Sequence, residues 1–364
     1  MSALKDLYSR PFYNKLCDTF TETIPGFNKQ EFIKQIYSGN WEEKELKDRM
    51  KHTTAVLHRF MPKEYKKAAK LIKASITHLR KRQIAGGLEF IFFPDYIETY
   101  VIDDFEEAVQ SIEFVTQFIS CEFAVRPFIL KYGERMMNQM LAWSRHKEHS
   151  VRRLASEGSR PRLPWAMAIP ALKKDPSATL PILENLKNDP SEWVRKSVAN
   201  HINDIAKDNP HIVIGIAHQW RSNNKETNAI IKHGSRTLLK QGHPEILHYY
   251  GLDTDGIQVS KFKVLTPVVK TGDSLAFSFT LENKSSQAKH IRIEYAIYYR
   301  RQNNTLSKKV FKISEKDCQP GESLQIIRQQ SFRLITTRVF YPGKQQVSVI
   351  INGIEQAVKS FELQ

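Results

Sequence analysis

The chain has 364 residues, 41% of them hydrophobic and 26% charged, a composition that excludes both a disordered chain and a membrane protein. No run approaches the roughly 18 apolar residues a spanning helix needs, and the opening MSALKDLYSRPF lacks the apolar core and small-residue cleavage site of a signal peptide. Fifty-five Lys and Arg against 39 Asp and Glu leave a net charge of +16, which favours nucleic acid or another anionic surface as partner over an ordinary solvated basic surface.

Through residues 4–250 the apolar positions recur at helical spacing. In the segment 104–119, Phe105, Ala108, Val109, Ile112, Val115 and Ile119 fall mostly at steps of three and four. Breakers such as Met61-Pro62, Asp175-Pro176, Asp189-Pro190 and Asn209-Pro210 separate one predicted helix from the next. Residues 180–210 read as a helix, a tight Asp-Pro turn and a second helix, and the layout returns in 211–244; a partial copy precedes them at 146–155. Such pairs, similar to HEAT repeats, cannot bury their apolar faces alone, so a stacked solenoid is expected.

Near residues 251–257 the period changes from 3.6 to 2. Leu275, Phe277, Phe279 and Leu281 alternate with small polar residues, and Ile291, Ile293, Tyr295, Ile297 and Tyr299 share a face. Further strand-like runs near 258–265, 308–313, 322–332, 344–351 and 355–363 make seven, which suggests an immunoglobulin-like β-sandwich without the usual cysteine pair. The expected organisation is a helical domain over 1–250 and a sandwich over 257–364. Cys17, Cys121 and Cys318 lie too far apart for a disulfide framework or a metal site, which fits a cytoplasmic protein with no metal and no cofactor.

Charge is uneven. Residues 257–364 carry 17 Lys and Arg against 8 Asp and Glu, and Arg49 to Arg82 holds 11 basic residues with the single acid Glu64. A basic solenoid rim would contact phosphates, but within this run KEYKKAAKLIK (63–73), taken alone, reads more readily as the wet face of an amphipathic helix. In SVRRLASEGSRPRLPW (150–165) a helix is expected to stop at Gly158, with a left-handed glycine cap. Glu157 then sits in the last turn, where a carboxylate is disfavoured. Arg160 and Arg162 alternate with Pro161 and Pro164, and Trp165 is expected to open the next helix. A misplaced acid beside spaced arginines suggests a functional loop; the bland alternative is an ion pair of Glu157 with Arg160 or Arg153. On the helix 191–208, Val194, Val198, Ile202 and Ile205 form the core stripe, and Trp193 and Asp204 project within about 20° of each other. Asp204 can alternatively be a solvated acid partnered by Lys207.

SVRRLASEGSRPRLPWA (150–166) and WVRKSVANHINDIAKDNP (193–210) resemble the AlkC/AlkD superfamily of DNA alkylation repair glycosylases, and within it the AlkC branch, since the tryptophan of AlkD-type proteins is Asn200 here. The strand-rich half resembles the immunoglobulin-like domain of some AlkC members. The resemblance implies a bacterial, monomeric, monofunctional glycosylase that acts on double-stranded DNA containing cationic alkylated bases, 3-methyladenine and 3-methylcytosine, without base flipping. It places catalytic carboxylates at Glu122, Glu157 and Asp204, with Trp165 as an aromatic neighbour; Trp165 and, from its place on the same helix flank as Asp204, Trp193 are expected to pack against the lesion. Arg152, Arg153, Arg160, Arg162 and Lys196 are expected on DNA phosphates, and Lys308, Lys309 and Arg300 or Arg301 on the sandwich side. The competing readings are a non-catalytic HEAT-repeat nucleic-acid-binding scaffold and a protein-protein adaptor.

Overall fold

The computed structural model describes residues 3–221, 224–334 and 338–364. These form α1 (Arg10–Thr23), α2 (Lys29–Ile36), α3 (Leu46–His58), α4 (Tyr65–Lys81), α5 (Phe92–Tyr100), α6 (Phe105–Val115), α7 (Val125–Tyr132) and α8 (Glu134–Trp143). There follow α9 (His149–Gly158), α10 (Pro170–Lys174), α11 (Leu180–Leu186), α12 (Glu192–Ile205), α13 (Pro210–Trp220), α14 (Lys225–Gly234), α15 (Arg236–Gln241) and α16 (Pro244–Tyr249). By packing, the chain divides into two compact units, Met1–Gly234 and Ser235–Gln364. Secondary structure changes at 251–257 as the sequence indicates, but α15 and α16 belong with the strands. Gly242 makes that possible: a Cβ there would lie 2.5 Å from the carbonyl oxygen of Gly353.

Helix starts in the first unit follow local chemistry. Asn28 caps α2 by accepting from the Glu31 amide at 3.0 Å, and Asp104 caps α6 from Glu107 at 3.1 Å. Pro210 opens α13, where its missing N–H costs nothing. The stripe Val194, Val198, Ile202 and Ile205 on α12 is buried as its spacing predicts. α12 packs against both α9 and α14 and is linked to α11 by the Asp189-Pro190 turn. α9 and α12 are the two helices that carry the resemblance, and their packing brings the two motifs together.

In the second unit β1 (Ile257–Val264), β3 (Ser274–Asn283) and β6 (Ser323–Ser331) form one antiparallel sheet; β2 (Val268–Val269), β8 (Ile354–Leu363), β7 (Gly343–Ile351), β4 (Lys289–Arg300) and β5 (Leu306–Cys318) form the other. The inward residues of both sheets make one core around Phe277, Phe279, Tyr295, Val347 and Phe332. All seven expected strands are present. β2 is an eighth, two residues long and parallel to β8, too short to have a periodicity. β4 buries more than the predicted face: Arg292 and Glu294 are also enclosed, joined by an ion pair at 2.7 Å.

Candidate active site

The loop 159–169 between α9 and α10 is held from below by one side chain. Arg126 on α7 is wholly buried; its Nε donates to the Met167 carbonyl at 2.7 Å, and its Nη1 to the carbonyls of Gly158 at 2.9 Å and Arg160 at 2.8 Å. The guanidinium thus ties both ends of the loop to α7. Burial, with Arg160 close by, pulls its pKa down to about 10. The sequence gives no sign of this, because nothing local distinguishes Arg126 from a surface arginine.

Two expectations about the loop need correction. Gly158 is not a left-handed cap: it is the last helical residue and Ser159 is the cap, at φ −91°. Glycine is needed there because a Cβ would lie 2.5 Å from Cγ1 of Val125. Trp165 does not open a helix either. It sits in a turn at φ 65°, a region non-glycine residues seldom occupy, and it is 57% exposed. Lys47 donates to its carbonyl. Trp165 also borders an apolar cleft with Met50, Ile91, Phe123 and Met167, into which Asp95 and Glu98 project; burial raises Glu98 to about 7.

The three candidate carboxylates belong to one chain of alternating charge. Arg153 donates from Nη1 to Glu122 Oε2 at 2.6 Å and places Nη2 3.7 Å from Glu157 Oε1. Arg160 donates from Nη1 to the same Glu157 oxygen at 2.6 Å and from Nε to Asp204 Oδ2 at 2.7 Å. Lys207 closes the series on Asp204 Oδ1 at 2.9 Å. Ser197 on α12 donates to the other Glu157 oxygen at 2.6 Å, and Ser120 to Glu122 at 2.8 Å. Both alternatives open for Glu157 are therefore realised, as is the Lys207 contact of Asp204, although Asp204 is buried rather than solvated. His201 lies fully enclosed beside this network, its Nδ1 2.9 Å from the Ser156 carbonyl. Burial, then the neighbouring Arg160 charge, pulls it down to about 3, so its ring is neutral.

The expected phosphate contacts separate into two groups. Arg160 is buried between Glu157 and Asp204, whose charges outweigh the burial that opposes its own and raise its pKa, so its expected place on the DNA backbone is corrected. Arg152 is likewise committed inward, with Nε 2.5 Å from Asp189 Oδ2 and Nη1 bonded to the carbonyls of His146 and Lys147. Arg153 is enclosed by Glu122 and Glu157. Arg162, 38% exposed and paired with Asp208, and Lys196, 69% exposed and paired with Glu192, do face solvent. Trp193 is half exposed; the Arg153 guanidinium lies 4.3 Å from its ring centre and the His149 ring meets it edge-on at 5.8 Å. Trp193 and Asp204 share a line on α12 but are three turns apart, roughly 16 Å along the axis. Among the described residues no group of three His, Cys, Asp or Glu could hold a metal ion.

A family model described as "Uncharacterised protein YhaZ, C-terminal Ig-like domain" matches residues 258–364. The chain is 43% identical over 354 residues to the uncharacterized protein YhaZ of Bacillus subtilis strain 168, with 97% of each covered. It is also similar to the solved structure of the Pseudomonas fluorescens alkylpurine DNA glycosylase AlkC bound to DNA containing an abasic site analog, at 34% identity and a TM-score of 0.93 over the whole of both chains. The chain belongs to the family of YhaZ and AlkC, in the AlkC branch of the AlkC/AlkD superfamily of DNA alkylation repair glycosylases.

Proposed function

We propose that this protein is a monofunctional DNA glycosylase of base excision repair that hydrolyses the N-glycosidic bond of cationic alkylated bases, 3-methyladenine and 3-methylcytosine, in double-stranded DNA. The observation that carries the reading is the full-length similarity to AlkC, which was captured on DNA with an abasic site analog. The carboxylate cluster gives the reading its chemistry. An N3-methylated base already carries a positive charge, so when the bond between C1′ and the ring nitrogen breaks, its electron pair neutralises the base and no acid is needed to expel it. Positive charge then builds on the sugar. Asp204, Glu157 and Glu122 supply negative field to that sugar, and Asp204 orients the attacking water and takes its proton. Trp165 and Trp193, both exposed, pack against the lesion nucleotide, where an aromatic face adds roughly 0.5–2 kcal/mol to the binding of a cation. The lesion is attacked without being flipped into a protein pocket. Arg162 and Lys196 face solvent and contact phosphates, which makes affinity fall with salt. The protein works as a cytoplasmic, nucleoid-associated monomer.

The second reading, a non-catalytic nucleic-acid-binding scaffold, draws on one observation: every candidate carboxylate already has a basic partner within 3.0 Å. Incubation of the full-length protein with methylated duplex DNA, followed by chromatographic identification of released bases, separates the two. Release of 3-methyladenine by the wild type, cut by about tenfold or more in Asp204→Asn while duplex binding persists, is the expected result. No free base with intact DNA binding would favour the scaffold.

A further inference from the structure

The basic run of α4 takes no part in the candidate active site. α4 packs against α1 and α6, with α5 behind it, whereas Glu122, Glu157, Trp193 and Asp204 lie at α7, α9 and α12. It buries Ala68, Ala69, Ile72, Ile76 and Leu79 and turns its opposite face to solvent. On a helical wheel Lys66, Lys70, Ala74, Thr77 and Lys81 fall along that outer face within an arc of about 80°, and all are exposed. The acids in reach are taken by other lysines: Glu64 pairs with Lys67 at 2.7 Å and Glu107 with Lys73 at 3.1 Å. Among the described residues Lys66, Lys70 and Lys81 have no ion-pair partner.

Folding does not ask for this arrangement. Lys66 and Lys67 occupy the first turn of α4, where the positive end of the helix dipole disfavours a cation, and no acid stands there. The neighbouring α6 follows the local rule, with Glu106 and Glu107 in its first turn. Lys66 and Lys70 are like charges one turn apart and repel each other, whereas a wet face serving stability would pair Glu with Lys at that spacing. The line from Lys66 to Lys81 runs for roughly 23 Å, close to the span of about seven base steps along one DNA strand. Between Lys70 and Lys81 it presents Ala74 and Thr77, small enough for a phosphate backbone to approach. It carries no large apolar side chain, which the centre of a protein interface or a membrane-binding face would need. We propose that the outer face of α4 docks a second segment of duplex DNA, separate from the one under repair, so that the protein passes between segments without first letting go. The identity of this anion rests on the reading of the protein as a DNA glycosylase.

The test titrates a short undamaged duplex into the full-length protein, as wild type and as the triple variant Lys66→Gln, Lys70→Gln, Lys81→Gln. It also follows release of labelled duplex as unlabelled duplex is raised. The wild type should bind a second duplex after the first, and its release rate should climb with competitor concentration. In the triple variant the second step should weaken about tenfold or more and the release rate should stay flat, because three phosphate contacts are lost. First-duplex affinity and base release should stay within about twofold, and the melting temperature should hold or rise as the repulsion is relieved. A wild type that takes one duplex only, or a variant that matches it in both assays, overturns the proposal. So does a loss of first-duplex affinity in the variant, which would put α4 on the DNA under repair. A second step supported by polyglutamate but not by duplex would assign the face to an acidic protein and overturn it as well. Base release from methylated DNA by the wild type is scored separately: its absence with both duplex steps intact would count against the catalysis alone, so the two failures are distinguishable.

Discussion

Arg160 offers the sharpest check on the buried network. Replacing it with methionine keeps the volume and removes the cation that Glu157 and Asp204 share. Breaking a buried ion pair by deleting one partner costs about 3–5 kcal/mol, because the remaining charge has lost its compensation. Each acid retains something: Glu157 keeps the Ser197 hydroxyl at 2.6 Å and Asp204 keeps Lys207 at 2.9 Å. The lower end, about 3 kcal/mol, therefore applies, and a helical unit of this size should melt about 6–12 °C lower. Thermal melting should be followed by helical circular dichroism, so that the strand-rich unit contributes little. Arg160→Lys, which keeps a charge but not the fork, should fall between the two. A methionine variant that melts within about 1 °C of wild type, less than a single surface contact is worth, would show that the guanidinium does not stand between these acids.

Three further outcomes are expected. Arg126→Met should free the loop 159–169 and leave the carbonyls of Gly158, Arg160 and Met167 unsatisfied; hydrogen exchange there should accelerate, and excision should lose kcat more than duplex affinity. Unchanged exchange across the loop would refute the clamp. Gly158→Ala should destabilise the helical unit by about 1–3 kcal/mol through the Val125 clash, and Val125→Ala should recover most of it in the double variant; additive losses would refute the steric cause. Burial holds the His201 pKa down to about 3 in the folded protein, against about 6.5 for an ordinary histidine. The unfolded chain therefore binds more protons between those values, and the His201 contribution is complete above about 6.5 and lost as pH falls toward 3. Between pH 7 and pH 5 this amounts to about 2 kcal/mol. His201→Gln should flatten that slope in denaturant titrations, and an unaltered slope would place the pH dependence elsewhere.

The sequence by itself determined the two architectures and the residues worth watching. A period of 3.6 or 2 is a local property, so the α12 stripe and the alternation on β3 and β4 could be read without a neighbour. The two motifs marked Glu157, Trp165 and Asp204 in the same way. Tertiary structure decided everything that depends on which distant group a charge meets. An arginine looks the same in sequence whether it grips a phosphate, as expected of Arg160, or neutralises two acids inside the protein, as observed. Arg126 reaches the loop from 32 to 41 residues away, Gly158 is required by a side chain on another helix, and α15 and α16 join the strands although their periodicity is helical. Helical and strand periods are set by each residue's own backbone and neighbours, whereas charge pairing and close approach are set by packing that brings remote segments within a few ångströms. Only the folded chain supplies that proximity.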